Sequence, residues 1–84
     1  MSDPTWLPDV LRAEGLRCDI YPGAFDRGHG DFGEIWGVVC HHTGSFGETP
    51  RGIAEHPSLG LASQLYLARD GRYTLCGVGI AWHA

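Results

Sequence analysis

The 84-residue chain has no apolar stretch near the roughly 18–20 residues that a membrane-spanning helix requires, so a membrane span is not expected. It has no basic cluster, and its net charge is -4. Binding to a phosphate backbone draws on concentrated positive charge, so a nucleic-acid partner is not expected either. It has no CxxC pair. Its three cysteines, Cys18, Cys40 and Cys76, are odd in number and widely spaced, which argues against a disulfide framework and for reduced, mostly buried thiols. There is no internal repeat and no low-complexity segment. The start, Met1-Ser2-Asp3-Pro4, is polar and acidic and does not read as a signal peptide, so synthesis in the cytoplasm is expected.

Enough apolar residues are present to fold: 43% of the chain is hydrophobic and only 19% charged, which separates it from disordered sequences. The length suits one small domain over residues 1–84 with a thin core, since a chain this short buries only about 60–65% of its unfolded surface. Asp3 and Pro4 read as cap and first position of a helix whose apolar residues Trp6, Leu7, Val10 and Leu11 recur at helical spacing, with Pro8 tolerated inside the first turn. Gly15 marks its end. Residues 21–33 carry four glycines and read as an irregular loop, either covering a cleft or joining helix to sheet.

The run Ile35-Trp36-Gly37-Val38-Val39-Cys40 lacks polar alternation and reads as a strand buried on both faces. Gly44, Ser45 and Gly47 mark a turn after it, and Thr49-Pro50 opens a short helix over about residues 50–56, stopped by Pro57. Residues 64–68 and 72–76 read as two strands joined by Arg69-Asp70-Gly71, and residues 78–83 as a third, giving a three-stranded meander. The fold class expected is α/β, a mixed sheet flanked by helices. A last strand ending at His83 would be an uncovered edge, so the chain reads as part of a larger fold.

His41 and His42 stand at the carboxyl end of the apolar run, where ligands gather in parallel and mixed sheets. On a strand their side chains point to opposite faces, so one is expected to face a site and the other to pack. A histidine there can ligate a metal, act as a general base, or satisfy buried polar groups. A catalytic zinc takes three protein ligands plus water, and no HxxxH or HxH set joins the pair to His29, His56 or His83. Cys40 beside His41 does not make a Cys–His dyad if both lie on a strand, and Cys40 reads as a core residue. A cysteine-dependent hydrolase using Cys40 or Cys76 remains a weaker alternative.

The string Trp36-Gly37-Val38-Val39-Cys40-His41-His42-Thr43 resembles the first zinc-ligand strand of the N-acetylmuramoyl-L-alanine amidase type 2 family, which includes the peptidoglycan recognition proteins and many phage endolysins. In the same order, residues 63–71, from Ser63-Gln64-Leu65-Tyr66 to Arg69-Asp70-Gly71, resemble its strand ending in Arg-Asp-Gly. Ala81-Trp82-His83-Ala84 resembles its Trp-His-Ala-Gly segment. The first helix and Gly28-His29-Gly30-Asp31-Phe32-Gly33 are similar to the lysin A amidase modules of actinobacterial phages.

The resemblance implies a zinc enzyme of the bacterial cell wall, cleaving the amide between N-acetylmuramic acid and L-alanine by a zinc-activated water. It implies His41 as the zinc ligand and His42, Thr43, Ser63, Tyr66, Trp82 and His83 as residues lining the muropeptide site. Ser63 stands where some members carry a tyrosine that assists catalysis. The acid/base residue and the other zinc ligands of the family lie beyond its Trp-His-Ala-Gly segment. The implied partners are therefore peptidoglycan and a complementary C-terminal amidase segment or second chain, with this chain alone inactive. The alternative is a non-catalytic peptidoglycan-binding or regulatory module that keeps the fold without turnover.

Overall fold

In a computed structural model that describes residues 3–44 and 47–83, the first helix, α1, runs over Leu7–Ala13. It starts later than the sequence suggests. Trp6 is the N-cap and makes no side-chain cap bond, and Pro8 sits inside the first turn, where a missing N–H costs nothing. The Asp3 carboxylate does not cap α1; it accepts the Phe32 amide at 2.9 Å. At the other end Gly15 takes φ +83° while its N–H bonds to Arg12 O and that of Leu16 to Leu11 O. That is a Schellman motif, so the glycine stop holds.

A short strand, β1 at Cys18–Ile20, follows, then a single 3-10 turn over Ala24–Asp26. Helix α2 occupies Pro50–Ala54, and Thr49 caps it by accepting the Gly52 amide at 3.2 Å. Strands β2 (Leu65–Leu67) and β3 (Tyr73–Leu75) form the hairpin expected from Asp70-Gly71, with Gly71 at φ +89°. The sheet order is β1-β3-β2. β2 is antiparallel to β3 and β1 parallel to it, with Cys18 opposite Tyr73 and Ile20 opposite Leu75. The mixed sheet is therefore real, but its third member is β1. Residues 78–83 form no strand. Among the described residues no helix is long and apolar enough to cross a membrane.

The sheet separates two small cores, because successive side chains on β3 and just after it point opposite ways. Leu75 joins Cys18, Ala24 and Val78 beneath Leu7 and Leu11 of α1. Cys76 joins Ala54, Leu61 and Ala81, with Ile53 of α2 and with Tyr21 and Tyr66 packed alongside. Leu75 and Cys76 are both fully buried. Removing the Leu75 side chain to Ala would cost about 2–5 kcal/mol. The Tyr21 hydroxyl donates to the Glu55 carboxylate, fastening the chain after β1 to the end of α2. Outside, Arg17–Asp70 (3.5 Å) and Arg72–Asp19 (3.6 Å) are exposed ion pairs and add little.

The glycine-rich segment is stitched down rather than left as a free flap. His29 N bonds Ile80 O (2.7 Å), Ile80 N bonds Gly30 O (2.9 Å), and Gly79 N bonds Arg27 O (3.0 Å). Gly28 meets Gly79 so closely that a Cβ on Gly28 would lie 2.3 Å from Gly79 Cα.

The largest departure concerns residues 35–40. They are not a buried strand: they are irregular and exposed, with Trp36 at 90%, Val38 at 87% and Val39 at 80% of full accessibility. Among the described residues no backbone hydrogen bond joins them to the rest of the chain. A strand apolar on both faces needs neighbours at both edges and layers on both sides, and the three strands present offer it neither. Cys40, expected in the core, is accordingly exposed. The turn expected at Gly44-Ser45 falls partly outside the described residues, as does Ala84.

Candidate functional site

Three stretches far apart in sequence meet around Trp82 and His83. His83 follows a backbone anchor, Trp82 N to Leu61 O at 3.0 Å, which fixes the chain beside the 59–61 loop. From there His83 Nε2 lies 3.2 Å from Gln64 Oε1 and His83 Nδ1 lies 3.0 Å from His41 Nε2. An amide oxygen only accepts, so the Gln64 contact as placed puts a proton on His83 Nε2 and leaves Nδ1 of the neutral ring to accept from His41. Gln64 is itself held, donating through Nε2 to Gly79 O at 2.9 Å. Burial, and then the neighbouring His41, push the pKa of His83 below the ordinary imidazole value. The neutral imidazole is the form that ligates metals and accepts protons.

His41 therefore comes within bonding distance of the second histidine that the family resemblance placed at the site. Because residues 41 and 42 are not on a strand, alternation does not decide which of them faces it; the His83 contact does. His42 and Thr43 are exposed on the same irregular segment. Ser63 and Tyr66 spend their hydroxyl protons on the backbone. Ser63 Oγ donates to Leu65 O at 3.1 Å, and Tyr66 donates to Glu48 O at 2.8 Å, bracing the approach to α2. Trp82 is half exposed and stacks on His29, with ring centroids 4.4 Å apart and planes 20° from parallel. His29 was not among the residues expected to line the site. Its sequence signals are a ring flanked by Gly28 and Gly30 and its place in the string that resembles the lysin A modules.

Among the described residues no group of three or more His, Cys, Asp or Glu side chains is placed to hold a metal ion. His41 and His83 supply two imidazoles at most. The two buried thiols are poor candidates for nucleophiles. Desolvation pushes Cys76 up to about 12, and burial also raises Cys18.

No protein-family model, curated protein or solved structure matches this chain.

Proposed function

We propose that this chain is the N-terminal part of an amidase type 2 domain and that it acts in peptidoglycan hydrolysis at the bacterial cell wall. The bond cleaved is the amide between N-acetylmuramic acid and L-alanine. One observation carries the reading. His41 and His83, drawn from two of the three ordered motifs that resemble the family, meet at 3.0 Å, and Gln64 from the third holds His83 from the other side.

On this reading the chain does not close a zinc site by itself, because a catalytic zinc takes three protein ligands and the family's other ligands lie beyond its Trp-His-Ala-Gly segment. His41 is the corner it contributes, and a complementary C-terminal segment or second chain supplies the remaining ligands and the acid/base residue. Zinc, when bound, lowers the pKa of its water towards about 7 and polarises the scissile carbonyl. Until a metal takes His41 Nε2, the hydrogen bond shared with His83 holds the His41 ring in place, and Trp82 offers an aromatic wall to the muropeptide. The exposed apolar run at residues 35–40 supports a two-part domain, because its backbone and both its faces lack the neighbours such a run requires.

The test is reconstitution. The chain is mixed with zinc and the complementary segment of an amidase type 2 domain, and peptides with a new N-terminal L-alanine are measured after incubation with cell walls. Release with both parts, none with this chain alone, and none with His41→Ala is expected. Full activity of the isolated chain would sink the two-part reading. Muropeptide binding without turnover in the reconstituted mixture would sink the enzyme and leave a non-catalytic wall-binding module.

A further inference from the structure

The imidazole of His29 is held on three sides. Its backbone N–H bonds Ile80 O at 2.7 Å, its Nε2 lies 2.7 Å from Leu59 O, and its ring face lies on Trp82. A carbonyl only accepts, so Nε2 carries the proton in that contact. The Leu59 carbonyl is itself fixed. His56 Nδ1 accepts the amides of Ser58 and Leu59, both at 3.1 Å, and His56 and Gly60 exchange backbone bonds at 2.8 and 2.9 Å. Gly60, at φ +69°, clears the way: a Cβ there would sit 3.1 Å from His29 Cε1. One residue further on, Leu61 O receives the Trp82 amide. A single tight loop therefore anchors both members of the stack, the imidazole through Leu59 and the indole through Leu61.

This arrangement does more than fill space. An aromatic side chain left half exposed beside His83 would sample several rotamers, and each would have to be frozen when a ligand arrives. The stack covers one face of the indole in advance and leaves the exposed half fixed in direction. An indole face attracts the positively polarised C–H edges of a sugar ring, as aromatic rings attract one another's edges.

We infer that His29 is a positioning residue for muropeptide binding: it holds the Trp82 indole so that its exposed half packs against the N-acetylmuramoyl sugar. The inference rests on the functional reading above for the identity of the ligand, and on the stack for everything else.

The experiment uses the full chain carrying Trp6→Phe and Trp36→Phe, so that Trp82 is the sole indole. The probe is N-acetylmuramoyl-L-alanyl-D-isoglutamine, titrated while the indole N–H resonance and the Trp82 fluorescence are followed. His29→Ala removes the stack; His29→Phe keeps an aromatic face but no donor for Leu59 O. The expected result is that His29→Ala shifts the indole resonance and weakens the probe about 3- to 10-fold, the size of one aromatic pair. His29→Phe restores both. Unchanged affinity in His29→Ala, or an indole signal indifferent to both substitutions, overturns the inference. Absence of probe binding by the unsubstituted His29 chain, both alone and mixed with the complementary segment, overturns the functional reading and the ligand named here, and the indole signal then decides alone whether His29 holds the ring.

Discussion

His41 Nε2 and His83 Nδ1 face each other at 3.0 Å although 41 residues separate them in the chain. A metal on His41 Nε2 takes the nitrogen that this hydrogen bond uses, and among the described residues two imidazoles converge there. Zinc binding by the chain alone should fall far short of the roughly 10–16 kcal/mol typical of complete structural sites. Competition against a chromogenic chelator should show weak binding that His41→Ala abolishes. Tight binding retained in His41→Ala would remove this histidine from the metal site.

The thiols should separate cleanly by reactivity. Cys40 is exposed, whereas Cys18 and Cys76 are buried and their thiols are held neutral by desolvation. Brief iodoacetamide treatment followed by mass spectrometry should label Cys40 in the native chain and all three cysteines only after denaturation. Early labelling of Cys76 would contradict its place beneath α2.

Cys76 also ties stability to alkaline pH. Its folded value of about 12 lies above the ordinary 9.0, so the native state keeps a proton that the unfolded state releases. The contribution is full below pH 9 and is lost as pH rises from about 9 to about 12. At pH 10 the loss is about 1.4 kcal/mol, or roughly 6–11 °C in Tm for a domain this size. Cys76→Ala should flatten this part of the Tm–pH curve. An unchanged alkaline slope in that variant would assign the effect to other groups.

Two glycines should respond differently to the same substitution. At Gly71 (φ +89°) a Cβ meets open space, so Gly71→Ala costs only backbone strain, about 1 kcal/mol. At Gly28 a Cβ runs into the Gly79 backbone, and Gly28→Ala should cost about 2–3 kcal/mol. Urea unfolding of the two variants gives the comparison. Equal midpoints would mean that the 28–30 segment is not clamped to residues 78–80.

Trp36→Ser and Val38→Thr change side chains that the described fold leaves exposed, so stability should move by less than about 0.5 kcal/mol. Activity regained on mixing with the complementary segment should nevertheless fall sharply. A large drop in Tm for the isolated chain would show that residues 35–40 are already packed.

Local signals survived translation into structure. Thr49-Pro50, Gly15 and Asp70-Gly71 act within a turn of themselves, and each did what its chemistry requires. β1 was not foreseen, because Cys18-Asp19-Ile20 carries no apolar run and is a strand only through its pairing with residues 73–75. The 35–40 run failed the opposite way, having strand composition without partners. At the site, the resemblance named His41 and His83 without pairing them; they lie within hydrogen-bond distance. It said nothing of Gln64 as their support or of His29 behind Trp82, since both depend on contacts spanning more than fifteen residues.

The parallel pairing of β1 with β3 has a consequence in time. Ribosomes extend a chain at about 5–20 residues per second, so β1 is finished several seconds before its partner, some fifty residues downstream, exists. The β2–β3 hairpin, by contrast, closes on itself within about 1–10 μs once both strands are free. The hairpin is thus free to close before β1 joins its edge, and β1 has to wait for β3 to be made.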